Sequence, residues 1–491
     1  MHSTHAFKTV PSFLVATLVA LATVAPPANA ALIVVDTLAD GAVGPTDGAC
    51  SLREALHAAN LNTTVDGCTA GNTSNDLILF SLAGTITLTA GALGVTDDVV
   101  IATLAGTTID AGYASRIFQV NMSNIADDFE IQGNGLVLRR GRAVAGNGGA
   151  VLLQQGDRAL FSDIHFELNE ACGAILGGAC ADVSSPQADG GAVYAGHLFD
   201  NVEIRDSTFV ANFATTRGGA IAISGWNPNS GAYGAPSASV LRSHLIGNGI
   251  GSASTASRGA AIYMIGNGDA AFLFERSSAV LHWISPGGAG SPTVLNVGAD
   301  VTMRNALVAD NPDLTAAVIG GLSFDHGLDL SYSTITRNEN GVSLIGSATA
   351  RVLSSSISHN TTWNCGGPGS ATLASGGYNH SDEDTTCPFD SVLDLPAGPA
   401  LLSGLEIGND GRPRVLPSVH SPLVDGGSHG GCSVFSGDPA MSMDLLGQSR
   451  PVDGDGDGAT RCDVGAIELP AGSDHLFADG FESGTTSAWS S

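Results

Sequence analysis

Val202-Glu203-Ile204-Arg205-Asp206-Ser207-Thr208-Phe209-Val210-Ala211-Asn212 decides how the rest of this chain is read. Two alternating apolar positions lead to a Ser, then a large apolar residue, then an Asn three further on. The same phase returns with Ala238, Val240, Ser243, Leu245 and Asn248, then with Leu328, Leu330, Ser333, Ile335 and Asn338. It returns again with Ala350, Val352, Ser355, Ile357 and Asn360, and looser copies end at Asn169 and Asn311. Gly148-Gly149-Ala150, Gly190-Gly191-Ala192 and Gly218-Gly219-Ala220 lie upstream of the first three Asn. Self-similarity of this kind is the mark of a repeat architecture. Period-two apolar residues point to one side of a strand. Gly and Asn tolerate the left-handed backbone that tight corners need. Asn at the same corner of stacked rungs can also pass amide hydrogen bonds along the stack.

Successive Asn in the series 169, 212, 248, 311, 338 and 360 are 43, 36, 63, 27 and 22 positions apart. Taking 22 as one coil, 43 and 63 read as two and three coils, and 36 and 27 as one coil carrying an inserted loop. The expectation is an all-β solenoid whose rungs are made of short strands, with insertions mapped to loops on one face. A sandwich with turn residues falling there by chance is the competing reading, and six copies in phase weigh against it.

The chain opens like a secretory precursor. An apolar run spans Phe13 to Ala25, and Ala28-Asn29-Ala30 has the A-x-A form of a cleavage signal, which predicts a mature chain starting at Ala31. The run is too short to span a membrane comfortably. Removing residues 1–30 removes Lys8, the only lysine, and leaves 18 Arg against 47 Asp plus Glu, a formal charge of −29 where the full chain has −28. That surface argues against nucleic acid and anionic membranes as partners and is compatible with cation binding. Eight Cys in a secreted chain imply disulfides. Sequence-local pairing gives Cys50/Cys68, Cys172/Cys180, Cys365/Cys387 and Cys432/Cys462, one of 105 connectivities that eight Cys allow. No tight C-x2-C spacing supports zinc.

Residues 31–75 read as an N-terminal cap. Ser51-Leu52-Arg53-Glu54 forms a capping box, and Leu52, Ala55, Leu56 and Ala59 share one helical face. Such a helix suits the open first rung of a solenoid, whose uncovered edge invites aggregation. A catalytic role for Arg53, Glu54 and His57 is the weaker reading, since capping and surface roles account for all three. Rungs are expected over 76–389 and an irregular C-terminal cap over 390–470. Residues 471–491 read as an acidic tail, in which Leu476-Phe477-Ala478-Asp479-Gly480-Phe481-Glu482-Ser483-Gly484 resembles a short tail of varied bacterial secreted proteins and implies sorting or surface display.

Cys50-Ser51-Leu52-Arg53-Glu54-Ala55 matches the motif that names the CSLREA-domain proteins. The Gly-Gly-Ala and Phe-x-x-Asn elements resemble those of polymorphic outer-membrane protein passengers. Ser421-Pro422-Leu423-Val424-Asp425-Gly426-Gly427, Asp444-Leu445-Leu446-Gly447-Gln448-Ser449-Arg450-Pro451 and Cys462-Asp463-Val464-Gly465-Ala466-Ile467-Glu468 resemble a choice-of-anchor terminal region. The resemblance implies that the solenoid is a right-handed parallel β-helix and that the protein is bacterial and secreted or displayed on the outer-membrane surface.

Asp453-Gly454-Asp455-Gly456-Asp457-Gly458 has the alternating carboxylates of a calcium loop. Val464 stands where the loop's closing Glu belongs, with Asp463 or Glu468 as substitutes. The expected ligand set is therefore Asp453, Asp455, Asp457 and Asp463, with calcium in a structural role. For catalysis, Asp97-Asp98, Asp127-Asp128 and Asp325-His326 are the visible pairs, and turns explain each of them as well. With no lysine in the mature chain, a lyase would need Arg as its base, and Arg resists deprotonation. No catalytic residue is assigned. The first functional expectation is a non-enzymatic protein that binds glycans or cell-surface ligands through loops 170–188 and 225–238, the latter bearing Trp226 and Tyr233. The alternative is a polysaccharide lyase or glycoside hydrolase on the same scaffold.

Overall fold

The computed structural model describes residues 30–471, apart from positions 45, 74, 81, 105, 184 and 430 and segments 287–291, 321–325, 345–347, 367–371, 383–385 and 436–439. The leader, Asp325 and nearly all of the acidic tail lie outside the described residues.

The repeated phase folds as a parallel β-helix with three columns of inward side chains. On the first face, Ile78, Ile101, Ile131, Phe161, Ile204, Val240, Phe274, Met303, Leu330 and Val352 stand in register on ten successive rungs. Ile86, Ile109, Leu138, Phe166, Phe209, Leu245, Ala279, Val308, Ile335 and Ile357 do the same on the second. Leu93, Phe118, Val151, Val193, Ile221, Ile262 and Leu295 form the third, and Val342 and Cys365 continue it two and three rungs on. All these pairings are parallel, as a coil that returns to the same face each turn requires. A large side chain fully buried this way stabilises by about 1.5–3 kcal/mol. Phe166 and Phe209 stack with centroids 4.4 Å apart and planes 9° from parallel.

Between the second and third faces a short side sheet runs through Arg142–Val144, Glu170–Cys172, Phe213–Ala214, Gly249–Ile250 and Trp283–Ile284. The repeated Asn lies just before it and is buried. Asn169 Nδ2 donates to Asn212 Oδ1 at 2.9 Å, and Asn212 Nδ2 to Asn248 Oδ1 at 2.9 Å. Asn311 Nδ2 donates to Asn338 Oδ1 at 2.8 Å, and Asn338 Nδ2 to Asn360 Oδ1 at 3.0 Å. Between these two runs His282 occupies the Asn position. Asn248 N lies 3.1 Å from His282 Nδ1, and His282 N donates to Asn311 Oδ1 at 2.8 Å.

This corrects the spacing. The 63-residue step is two coils of 34 and 29 residues, not three, with His282 hiding the boundary. The 43-residue step is one coil, since Asn169 and Asn212 touch directly. A second ladder of Ser runs parallel to it: Ser207 N donates to Ser243 Oγ, Ser243 N to Ser277 Oγ and Ser333 N to Ser355 Oγ, at 3.0–3.1 Å. Each of these Ser hydroxyls donates to the carbonyl two residues back, at Arg205, Leu241, Glu275, Ser331 and Leu353.

A helix packs against the start of the solenoid. Helix α1, Leu52–Leu61, starts at Ser51 with both arms of its capping box in place. Its buried face carries Leu52, Ala55, Leu56 and Ala59. Arg53 pairs with Asp40 at 2.8 Å and donates to the carbonyls of Gly91 and Ala92, so it is a structural tie. Four disulfides form, Cys50–Cys68, Cys172–Cys180, Cys365–Cys387 and Cys432–Cys462. The C-terminal region does more than close the last rung. Val415, Leu445, Ala466 and Ile467 fold back onto the outer side of the second face and cover Val280, Leu307 and Ala309.

Candidate ligand-binding face

The Asp-Gly turn is brought together with a residue the spacing did not suggest. Carboxylate oxygens of Asp425, Asp453 and Asp455 lie within 4.8 Å of one another. Asp425 Oδ2 accepts from Gly454 N at 2.9 Å and from Asp455 N at 3.0 Å. Asp453 accepts from Gly456 N at 2.8 Å and Gly458 N at 2.9 Å. Asp457 instead accepts from Ala459 N at 2.7 Å and faces Arg461 at 3.8 Å. Asp463 turns inward. It accepts from Asp425 N at 2.7 Å and Leu469 N at 2.6 Å. Burial, with Glu468 beside it, pushes the Asp463 carboxyl up to about 7. The nearby Arg450 guanidinium is fully buried, 3.5 Å from Glu468 and 4.9 Å from the centre of the Tyr332 ring. Asp463 therefore belongs to a buried strut. Asp425, missed above, stands next to Gly426-Gly427 in a segment whose own signal was a terminal-region motif.

The other carboxylate pairs occupy one outer corner, where the chain enters the first face. Asp98 and Asp128 stack on neighbouring rungs, and the Asp128 amide donates to the Asp98 carboxylate. Asp97 accepts from Asn62 Nδ2 at 2.9 Å, and Asp127 accepts from Asn124 N at 3.2 Å. On the next rung Arg158 answers Asp128 at 3.3 Å and also Glu130. Burial raises Asp98, Asp127 and Asp128 above the usual carboxylate range. These are turn acids held by amide donors and by Arg158. His326 lies 3.8 Å from Asp300.

The two loops flank the outer side of the third face. Cys172–Cys180 closes the hairpin of Ala174–Leu176 and Ala179–Ala181, with Leu176 at its tip 78% exposed. Asp182, from the same insertion, accepts from Ser252 N at 2.8 Å and Ala253 N at 3.0 Å, tying it to a loop two rungs on. On the other edge Trp226 and Tyr233 pair across a small hairpin with ring centroids 5.0 Å apart. Tyr233 packs with Tyr263, Ile265 and Tyr194, and Trp226 stays 43% exposed. Arg217 lies over the Tyr263 ring at 4.8 Å and pairs with Asp189 at 2.6 Å. Burial raises the Asp189 carboxyl, and Arg217 opposes that.

An aromatic pair on the side sheet went unnoticed in the sequence. In its outward column Arg142, Glu170, Phe213, Gly249 and Trp283 stand in register on consecutive rungs. Arg142 pairs with Glu170 at 2.7 Å and covers the Tyr113 ring at 4.4 Å. Trp283 lies across Gly249 and stacks on Phe213, with centroids 5.5 Å apart and planes 14° from parallel. A Cβ on Gly249 would stand 2.3 Å from the indole, so only glycine admits this stack. Trp283 Nε1 donates to Gly247 O at 3.0 Å, which fixes the ring with 39% of the residue exposed. At about 4.8 Å per rung, the column from Arg142 to Trp283 runs roughly 19 Å. The only signal in the sequence was Phe213 and Trp283 each following the Asn position of its coil, and the second of those Asn is His282.

No protein-family model matches this chain, and no curated protein matches it. Among solved structures it is similar to the crystal structure of pectate lyase Pel9A, at 13% identity and a TM-score of 0.39, covering 90% of this chain and 97% of that one. So remote a likeness says nothing about chemistry. Among the described residues no helix is long and apolar enough to cross a membrane.

Proposed function

We propose that this is a secreted or cell-surface β-helix protein that binds polysaccharide without turning it over. One observation carries the reading: the Trp283–Phe213 stack is flat, exposed and held rigid by Gly247 and Gly249. Large rigid aromatic side chains offer contact area at little entropic cost, and their faces suit the apolar face of a sugar ring. Arg142 and Glu170 continue the same column and offer donors and acceptors to hydroxyls. The strong negative charge favours a neutral glycan over an acidic one. The four disulfides and the leader-like start support export. The Cys50–Ala55 motif supports kinship with CSLREA-domain and choice-of-anchor proteins of the bacterial surface. Calcium, held by Asp425, Asp453 and Asp455, would pin the C-terminal region and take no part in chemistry.

Retention of the purified protein on a panel of immobilised neutral and acidic polysaccharides tests this. Binding to a neutral glycan, weakened at least tenfold by Trp283→Ala with the fold intact, is expected. Release of oligosaccharide products from any member of the panel would overturn it in favour of a lyase or hydrolase.

A further inference from the structure

Among the described residues Asp76 is a buried carboxylate with no cationic side chain paired to it. Its residue is 0% exposed, at the start of strand Asp76–Phe80 on the first face. Its oxygens accept three backbone contacts, from Asn72 N at 3.1 and 3.2 Å and from Ala31 N at 3.2 Å. Gly71 closes over it so tightly that a Cβ there would lie 2.2 Å from Asp76 Oδ2. Asp97 and Asp98 are its charged neighbours, and both repel it. Among the described residues no Arg or His pairs with it. Burial, followed by those two carboxylates, lifts its own carboxyl to about 6. A charge buried this way costs several kcal/mol unless paired, which makes the site expensive as it stands.

The atom facing Asp76 is the nitrogen of Ala31. Ala31 is also the residue that follows Ala28-Asn29-Ala30, the A-x-A cleavage signal. Its place is fixed by neighbouring structure: Leu77 N donates to Ala31 O at 2.8 Å, and Leu32–Val35 pairs in parallel with Leu77–Phe80. In the uncut chain the Ala31 nitrogen is a neutral amide offering one N–H. Hydrolysis of the Ala30–Ala31 bond by a leader peptidase adds water across it. Hydroxide goes to the Ala30 carbonyl, and the Ala31 nitrogen gains a hydrogen and then a proton, becoming an ammonium.

We infer that removal of the leader creates the missing partner, and that the new Ala31 α-ammonium forms a buried ion pair with Asp76 that locks the first strand onto the solenoid. The precursor then carries an uncompensated charge at its first rung, and processing converts this to a charge-assisted hydrogen bond, about twice as strong as a neutral one. The lock also explains why an acidic corner begins the stack: the positive end of the mature chain is delivered to it.

The mature chain has no lysine, so its α-amine is its sole primary amine. Amine-reactive labelling therefore reads Ala31 directly. Secreted protein is first checked by intact mass, and a terminus other than Ala31 overturns the inference. In the folded protein the amine should label at least tenfold more slowly at pH 8 than in Asp76→Asn, because pairing holds it protonated above the ~8 of a free terminus. Equal labelling in both overturns it. The second readout is thermal. Asp76→Asn should lower Tm in the chain that begins at Ala31, and leave it unchanged or raise it in a chain extended by two residues before Ala31. The same downward shift in both overturns it. Should Asp76→Asn fail to fold, acetylation of Ala31 on the wild-type chain must lower Tm, and an unchanged Tm overturns the inference.

Discussion

Asn169 and Asn212 touch through their carboxamides at 2.9 Å, and neither has any exposed surface. Asn212 also accepts from Asn169 N at 3.0 Å and donates to Phe166 O at 3.0 Å. Replacing it with Ala strands several of these groups at once. With about 1–3 kcal/mol for each buried polar group left unmade, Asn212→Ala should cost roughly 2–4 kcal/mol. Chemical denaturation reads this directly. A cost within 0.5 kcal/mol of zero would mean that the ladder is ornamental.

His282 interrupts that ladder, and burial pushes its imidazole down to about 4. A folded pKa below the unfolded ~6.5 means the unfolded chain binds more protons between those values. Stability is then lost as pH falls from about 6.5 toward 4. His244 and His380 are shifted the same way, also to about 4. His282→Asn should restore an unbroken Asn series and reduce the loss of stability between pH 7 and pH 4.5, measured by urea midpoints at both pH values. An unchanged pH slope would show that His282 is protonated without cost.

Asp463 works in the opposite direction. With its carboxyl raised to about 7, the folded state holds a proton that the unfolded chain releases near 3.9. Its share of stability is present at low pH and lost as pH rises from about 4 through 7. Asp463→Asn should flatten the decline between pH 5 and pH 8. The variant's slope across that window, not its absolute stability, is the test, because two backbone amides also depend on this side chain.

Gly249 should be as important to binding as Trp283. Gly249→Ala puts a methyl carbon where the indole lies and must turn the ring out of its stack on Phe213. Glycan retention is expected to fall as far as in Trp283→Ala, with an overpacking cost of about 1–3 kcal/mol. Retention equal to wild type would move the binding surface to the Trp226–Tyr233 hairpin.

Calcium at millimolar concentration should raise Tm if the Asp-Gly turn binds it, as any ligand specific for the folded state does. Asp425→Asn and Asp453→Asn should each abolish the shift. Asp457→Asn should preserve it, since that side chain faces Arg461 instead. A shift that survives Asp453→Asn places the ion elsewhere.

The solenoid was legible because its signal is local and repeated: Val202, Ile204 and Phe209 reach the core by strand alternation alone. The capping box at Ser51 and Glu54 was legible for the same reason. The coil count was not. His282 can accept and donate as Asn does, so the chain keeps its hydrogen bonds while the letter changes. Asp425 was invisible as a neighbour of Asp453 because only the return of the C-terminal region brings them together. The Trp283 platform was missed because a glycine on the rung between makes the contact possible, and spacing along the chain does not reveal stacking across rungs.

The backward fold of the C-terminal region changes how this molecule should come apart. A plain solenoid melts rung by rung, since each coil knows only its neighbours. Here Arg276 donates to Asp444 O at 2.9 Å, Asn305 to Met443 O at 2.7 Å, and Ala466 N to Thr334 Oγ1 at 3.0 Å, across sequence separations of 168, 138 and 132 residues. Those ties bind the later coils into one cooperative block that is completed only when the last-made stretch arrives. The early coils, outside that clasp, are left free to unzip on their own, so unfolding should proceed in two stages with the amino-terminal half yielding first.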